Sequence, residues 1–367
     1  MKKILLPLLA AVGVPFFADA ESPSDFVRSV EISAAADVRP ASAWRPKERW
    51  RGFNLLGMFR KDPVDWRSPG HFDEREFRWL HDWGFNFARL PLDYHYWIKD
   101  GDWNEIDEAA VRRIDEAIGY ARKWGVHVQL CFHRAPGFCV NPPKEPVDLF
   151  EDADAQRVFA KHWRFFARRY RGIPNDALSF NLFNEPDMVA AEKVERIMAM
   201  LTRTIREEDP ERFIVADGRR WGREPLKAPE GPALFGQAVH CYDPFDITHY
   251  RMANHPGSKS LPDWPMDGLT GEEWLRKNLF APWDELSRKG TFVMAGEFAC
   301  GNRTPHEQTL RILEDYLKYF KAKGYGWALW NLRGFMGILD SDRKDVEYED
   351  FHGYKLDRKL LELLQRY

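Results

Sequence analysis

The chain has 367 residues, 44% of them hydrophobic, and a formal charge of -3 at pH 7, enough to bury the core of one barrel-sized domain with an N-terminal extension. Its lysines and arginines are interleaved with acidic residues rather than gathered in a basic block, which argues against nucleic acid as a partner. The 15 Trp fit either a large core or stacking against the apolar faces of sugars, and composition does not choose between them.

Residues 1–20 read as an export signal: Lys2 and Lys3, an apolar run, then Ala18-Asp19-Ala20 at cleavage-site spacing. The run is shorter than the ~20 residues a spanning helix needs and contains Pro7 and Pro15, so a membrane anchor is disfavoured and a secreted or periplasmic location is expected. Residues 21–43 show no sustained period and form a leader segment. The organised domain covers 44–367. Its first strand is expected around Arg51-Gly52-Phe53-Asn54-Leu55, with a helix over 72–83 closed by Gly84. A strand over 86–90, ending at Pro91, and an amphipathic helix over 107–124 repeat the pattern.

Residues 126–133 alternate, with His127, Gln129, Cys131 and His133 on one side and apolar residues on the other. A long loop leads to a helix over 153–170. Residues 178–183 alternate again, Leu178, Phe180 and Leu182 against Ser179, Asn181 and Phe183, and Glu185 continues the second face before Pro186. A helix over 192–208, strands over 212–216 and 234–242, a Pro/Gly/Asp-rich loop over 250–267 and a helix over 271–288 follow. The strand 291–297 places Val293, Ala295 and Glu297 on one parity. A helix over 306–323, the run Trp327-Ala328-Leu329-Trp330 and a helix over 356–365 complete the chain.

About eight alternations of β and α elements over this length predict a (β/α)8 barrel. A doubly wound sheet is the competitor, and the Gly-rich nucleotide fingerprint that would support it is missing after the first strand. In a barrel the carboxyl ends of the strands share one mouth, and Arg89, His133, Asn184, Glu185, His240, Tyr242, Glu297 and Trp330 all stand at such ends. Each alone has a plain structural explanation, such as an ion-pair partner, a satisfied core histidine or a filling ring. Their convergence is harder to explain that way, and two strand-end glutamates invite acid/base chemistry on a sugar.

Arg51-Gly52-Phe53-Asn54, Asn86-Phe87-Ala88-Arg89, His133 with Pro136-Gly137, Asn184-Glu185-Pro186, His240-Cys241-Tyr242, Gly296-Glu297-Phe298 and Trp330 together resemble glycoside hydrolase family 5, the cellulase-type retaining enzymes, across most of 50–330. One departure is Cys131, two places before His133, where relatives often carry an acidic residue. The resemblance implies Glu185 as general acid/base and Glu297 as nucleophile, with Asn184 on the sugar 2-hydroxyl, His133 and His240 binding substrate or orienting the acids, and Trp330 as stacking floor. Arg89 and the Tyr242 hydroxyl are placed to favour the charged form of Glu297. Trp221, Trp264, Trp97 and Phe138 are weaker candidates for further sugar subsites, with packing an equal alternative.

The leading expectation is a secreted endo-β-1,4-glucanase acting as a monomer. Other β-glycans, mannan among them, are the alternative, because the loops 138–147 and 250–267 carry no readable code for substrate. A non-catalytic sugar-binding barrel could dispense with one glutamate, and both are present. A metal-dependent hydrolase would want His-x-His or His-Glu-x-x-His, and neither occurs; no cofactor or metal is implied. Cys131, Cys139, Cys241 and Cys300 lack metal-site spacing and leave disulfides and buried thiols equally open.

Overall fold

The computed structural model describes residues 44–62, 67–228, 234–252 and 260–367, so the expected export signal and leader lie outside the described residues. Eight strands close a parallel barrel: β1 (Arg51–Asn54), β2 (Phe87–Asp93), β3 (His127–Arg134), β4 (Leu178–Asn181), β5 (Ile214–Asp217), β6 (Phe235–Cys241), β7 (Phe292–Phe298) and β8 (Gly326–Leu329). Each pairs with its successor, and β8 pairs back to β1 through Arg51 and Trp327. The (β/α)8 reading therefore holds.

Helices α1 (Glu74–Asp82), α2 (Glu108–Lys123), α3 (Ala153–Arg169), α4 (Ala191–Glu208), α5 (Gly271–Arg288, with a π-helical stretch at Arg276–Phe280), α6 (His306–Lys323) and α7 (Arg358–Arg366) surround it. Asp73, Asp107, Asp152 and Asp357 start four of them by accepting from first-turn N–H groups, which otherwise lack partners. In α2 the buried positions Ala110, Val111, Ile114, Ala117, Ile118 and Ala121 form one stripe at helical spacing, and that stripe faces the sheet. Between β5 and β6 the described residues contain only one irregular turn, with Arg220 and Trp221 in the left-handed region at φ 52° and 59°. None of the helices among the described residues is long and apolar enough to cross a membrane.

Two features depart from the sequence reading, and one alternative it left open is decided. Strand β2 does not stop at Pro91: Pro91 lacks only its own N–H, and pairing with β3 resumes at Leu92 and Asp93. Two short hairpins, Ile98–Lys99 with Asp102–Ile106 and Glu349–Phe351 with Tyr354–Leu356, lay in stretches too polar for a strand period to show. All four cysteines are buried free thiols.

The barrel interior is layered. Its lower end is filled by Trp50, Phe87, Phe213 and Phe292, with Trp50 stacked on Phe87 at 4.9 Å and on His127 at 4.3 Å. Burial pushes the His127 imidazole down to about 3, so it sits there neutral, 2.8 Å from the Ser179 hydroxyl. Polar side chains take over only above this plug, which is why the chemistry is confined to one end.

Arg212, next to β5 and almost fully buried, ties the lower rim. Its guanidinium donates to Asp209 and to the carbonyls of Leu178 at 2.7 Å, Ile173 at 2.8 Å and Tyr170 at 3.0 Å. Arg212→Met removes the charge and strands those acceptors, and an unfolding free energy lower by about 3–5 kcal/mol is expected. Urea denaturation measures it, and a loss under about 1 kcal/mol would mean that water or neighbours replace the bonds.

Candidate active site

Both strand-end glutamates reach the mouth, but by a different route from simple alternation. On β4, Ser179 and Asn181 do face the barrel, while Phe180 packs on Trp163 of α3. The alternation then ends. Phe183 turns outward onto Phe138, Phe150 and Phe159, and Glu185 takes a left-handed conformation, φ 46°, with its N–H donating to Asp217 Oδ2 at 3.1 Å. On β7, Val293 and Ala295 join the outer core and Met294 faces inward. The register with β6 jumps from Val239–Ala295 to His240–Glu297, leaving Gly296 as the extra residue of a bulge that swings Glu297 into the mouth. A Cβ on Gly296 would stand 2.9 Å from His240 Nε2, so a side chain there would collide with the imidazole.

Arg89 is the hub. Completely buried, it donates from Nη1 to Glu297 Oε1 at 2.7 Å and Asn54 Oδ1 at 3.0 Å, from Nε to Asn181 Oδ1 at 2.9 Å, and from Nη2 to Asn184 Oδ1 at 2.8 Å. Nη2 also lies 3.3 Å from Asp217 Oδ2 and 3.1 Å from the Cys131 sulfur. Tyr242 donates its hydroxyl to Glu297 Oε2 at 2.9 Å. His240 spans the two acids: Nδ1 is 2.7 Å from Glu185 Oε1 and 3.6 Å from Glu297 Oε2, and Nε2 is 3.1 Å from Asp217 Oδ2. An oxygen of Glu185, a ring nitrogen of His240 and an oxygen of Glu297 all lie within 4.8 Å of one another.

Charge follows burial and neighbours. Burial holds the Glu297 carboxyl above the usual carboxylate range, up to about 7; His240 and Arg89 oppose this and the charge of Glu185 adds to it. The contacts expected from Arg89 and Tyr242 are therefore present, yet their pull toward the ionised form does not overcome desolvation. Burial works against the Asp217 charge, but His240 and Arg89 outweigh it and bring that carboxyl down to about 2. For His240 the charges of Glu297 and Asp217 outweigh burial and raise the imidazole to about 10. His133 goes the other way: burial, aided by Arg89 and Arg134, holds it well below its ordinary value and hence neutral.

Glu185, His240 and Glu297 are the one trio among the described residues with the spacing of a cation site. They fit one poorly, because both His240 nitrogens face carboxylates and the Arg89 guanidinium already stands 2.7 Å from Glu297. His133 and Trp330 lie together on another side of the mouth, ring centres 5.6 Å apart and 30° from parallel, with Phe59 edge-on to both. Of the weaker aromatic candidates, three are core. Trp97 is fully buried and donates to His162, Trp264 is buried and donates to Asp315, and Phe138 packs on Phe150 and Phe183. Trp221 alone is open, 37% exposed, and its N–H holds the carbonyl of Pro186 at 3.0 Å.

The sequence model of the cellulases, glycosyl hydrolase family 5, matches residues 46–335. The chain belongs to glycosyl hydrolase family 5. Among its relatives, Endoglucanase C of Acetivibrio thermocellus is 27% identical over 81% of this chain and 95% of its own length, and Cellodextrinase A of Ruminococcus flavefaciens is 26% identical over 75% and 82%. A crystal structure of a glycoside hydrolase superposes with a TM-score of 0.78 at 32% identity, covering 87% of this chain and 99% of that one. Endoglucanase Cel5A of Thermotoga maritima superposes with a TM-score of 0.72 at 22% identity, covering 86% and 96%, and shares the fold.

All eight residues expected at the mouth of this family 5 barrel converge there. Sequence reasoning left out Asp217, Asn54 and Asn181, which hold Arg89 and His240. Asp217 had a readable signal, since Ala216-Asp217-Gly218 ends a strand in an acid as Gly296-Glu297 does. Asn54 stood in a motif that carried the family resemblance but without a role, Asn181 looked like an ordinary strand residue, and the roles of both appear only once the barrel closes.

Proposed function

We propose that this family 5 enzyme is an exported, retaining endo-hydrolase of β-1,4-glucan, with Glu297 as nucleophile and Glu185 as general acid/base. The observation that carries the mechanism is the separation of the two carboxylates, one oxygen of each within 4.8 Å of the other. That gap leaves no room for a water between the second carboxylate and the anomeric carbon, as inversion needs, and suits direct attack by that carboxylate, for which ~5–5.5 Å between carboxyl groups is typical. The glucan part of the reading rests on the names of the relatives, endoglucanases and a cellodextrinase. Export rests on the charge and apolar run of residues 1–20.

In the first step a Glu297 oxygen bonds to the anomeric carbon while the glycosidic C–O bond breaks and Glu185 gives its proton to the departing oxygen. In the second, Glu185 takes a proton from water, whose oxygen attacks the same carbon and releases Glu297. Two inversions restore the original configuration. Asn184 is suited to the sugar 2-hydroxyl: its oxygen is held by Arg89, while its Nδ2 is buried without a partner among the described residues, a donor left waiting for one. Neutral His133 offers one donor and one acceptor beside the Trp330 ring.

Purified polysaccharides with reducing-end release as readout test the substrate. Release from soluble β-1,4-glucan is expected, and release from mannan with none from glucan would overturn the glucan assignment. Trp221 lies in the turn between β5 and β6, its backbone N–H holds the Pro186 carbonyl, and it so stands on the Glu185 side, where the departing half of the chain leaves. Trp221→Ala is expected to raise KM for a glucan oligosaccharide about 3- to 10-fold, the worth of one stacked ring, with little change in kcat. Unchanged KM would remove Trp221 from the binding surface.

A further inference from the structure

Asp217 has no place in the reaction as described above, yet its carboxylate is the most heavily engaged of the three acids in the mouth. Fully buried at the end of β5, it presents Oδ2 to the Glu185 backbone N–H at 3.1 Å, to His240 Nε2 at 3.1 Å and to Arg89 Nη2 at 3.3 Å, and its Oδ1 accepts from Asn181 Nδ2 at 2.9 Å. Three hydrogen-bond donors, Glu185 N–H, Arg89 Nη2 and Asn181 Nδ2, and the His240 ring at ion-pair distance thus crowd one buried carboxylate. Three of the four belong to residues that touch the two catalytic acids or are one of them. The backbone approaches the imidazole closely at two glycines. A Cβ on Gly296 would stand 2.9 Å from its Nε2, and one on Gly222 would stand 2.7 Å from its Cβ.

We propose that Asp217 is a positioning residue for the acid/base: one carboxylate oxygen fixes the left-handed backbone of Glu185 and the Nε2–H form of His240, so that the exchangeable proton lies on the 2.7 Å line between His240 Nδ1 and Glu185 Oε1. The argument is one of acceptors. An ionised carboxylate can only accept, so one standing 3.1 Å from Nε2, at ion-pair distance though off the hydrogen-bond line, favours hydrogen on that nitrogen. Nδ1 is then free either to accept from a protonated Glu185 or, as imidazolium, to donate to an ionised one. The acid/base can pass between its two states while its hydrogen bond to His240 stays in place. With an amide in place of Asp217, Nε2 can instead accept from the amide N–H, Nδ1 becomes the donor of a neutral ring, and Glu185 is held in the form that cannot give a proton; a buried carboxylate beside an imidazole does the same service in serine hydrolases. The charged groups facing His240 are Glu185, Asp217 and Glu297 in contact, with Arg89 behind Asp217 and neutral His133 farther off.

The inference rests on the glycosidase reading, and its test separates the two. Asp217→Asn is compared with wild type by kcat/KM on two aryl β-cellobiosides, one whose leaving group needs protonation and one, dinitrophenyl, that departs without it. The expected result is a loss of about 100-fold or more on the first and less than about tenfold on the second, because only the first uses the acid. Equal losses on both would mean that Asp217 acts through Arg89 on Glu297, and no loss on either would mean that it is structural filling; both overturn the proposal. Nitrogen NMR of histidine-labelled wild-type enzyme gives a reading independent of activity and of how well the variant folds. The His240 signal, assigned by its loss in His240→Gln, should show Nε2 protonated at every pH from about 5 to 9, and a neutral Nδ1–H ring would sink the idea. Wild-type enzyme inactive on both cellobiosides would overturn the β-1,4-glucanase reading instead, and the nitrogen spectrum would still decide the tautomer.

Discussion

Glu297→Gln is expected to lower kcat on a β-glucan oligosaccharide by about 10^5-fold, ~7 kcal/mol of transition-state stabilisation at 1.36 kcal/mol per factor of ten, with KM nearly unchanged. The amide keeps the shape of the carboxylate and can still meet Arg89 and the Tyr242 hydroxyl, which hold Glu297 at 2.7 and 2.9 Å, so the fold and the substrate contacts survive. What disappears is the oxygen able to bond to the anomeric carbon. Azide then gives a stereochemical readout. In Glu297→Ala, which vacates the carboxylate's place, it can enter the space beside the anomeric carbon and displace the leaving group once, so the product must be the α-glycosyl azide. Initial rates on an aryl β-cellobioside, with the product's configuration read by NMR, check both parts. A variant retaining more than about 1% of wild-type turnover, or giving the β-azide, would take the nucleophile role from Glu297.

The barrel was legible in the sequence because its helices carry long apolar stripes and Asp caps, and because Gly84 and Gly125 punctuate them at φ 81° and 65°. The site was legible at the level of which residues meet and less so in how they get there. Period-two alternation cannot express a bulge, so the parity that placed Glu297 with Val293 and Ala295 gave the right end of the strand for the wrong geometric reason. The same holds for Glu185, whose direction is set by a left-handed residue and by Asp217, thirty-two positions away. Burial was the other hidden quantity. The sequence shows Arg89 and Tyr242 as partners for Glu297, but only the closed barrel shows that the carboxylate is desolvated enough for its proton affinity to rise all the same. Trp97, Trp264 and Phe138 failed as subsite candidates for a related reason: an aromatic in a loop reads the same whether the loop folds over it or presents it.

Glu185→Ala is expected to behave in the complementary way. General acid catalysis contributes about 10^2–10^4-fold, so kcat/KM on a substrate with a poor leaving group should fall by that factor, while the dinitrophenyl cellobioside should lose less than about tenfold. The glycosyl-enzyme still forms on that second substrate but waits for a water with no base to activate it, and kcat should fall although kcat/KM does not. Azide, which needs no base, should then restore turnover and give the β-glycosyl azide, because it attacks after Glu297 has already inverted the centre once. The pH profile adds a sign. Glu297 must be ionised to attack, and burial together with the charge of Glu185 holds its carboxyl up to about 7, so wild-type kcat/KM falls as pH drops through that region. Removing Glu185, whose side chain is 14% exposed and lines the same mouth, takes away a like charge and opens the cavity to water. Both changes favour the ionised form, so the acid limb must move to lower pH; a limb that stays in place or rises would mean that the two carboxylates do not share one field, and the mechanism that requires them to exchange roles would fail with it.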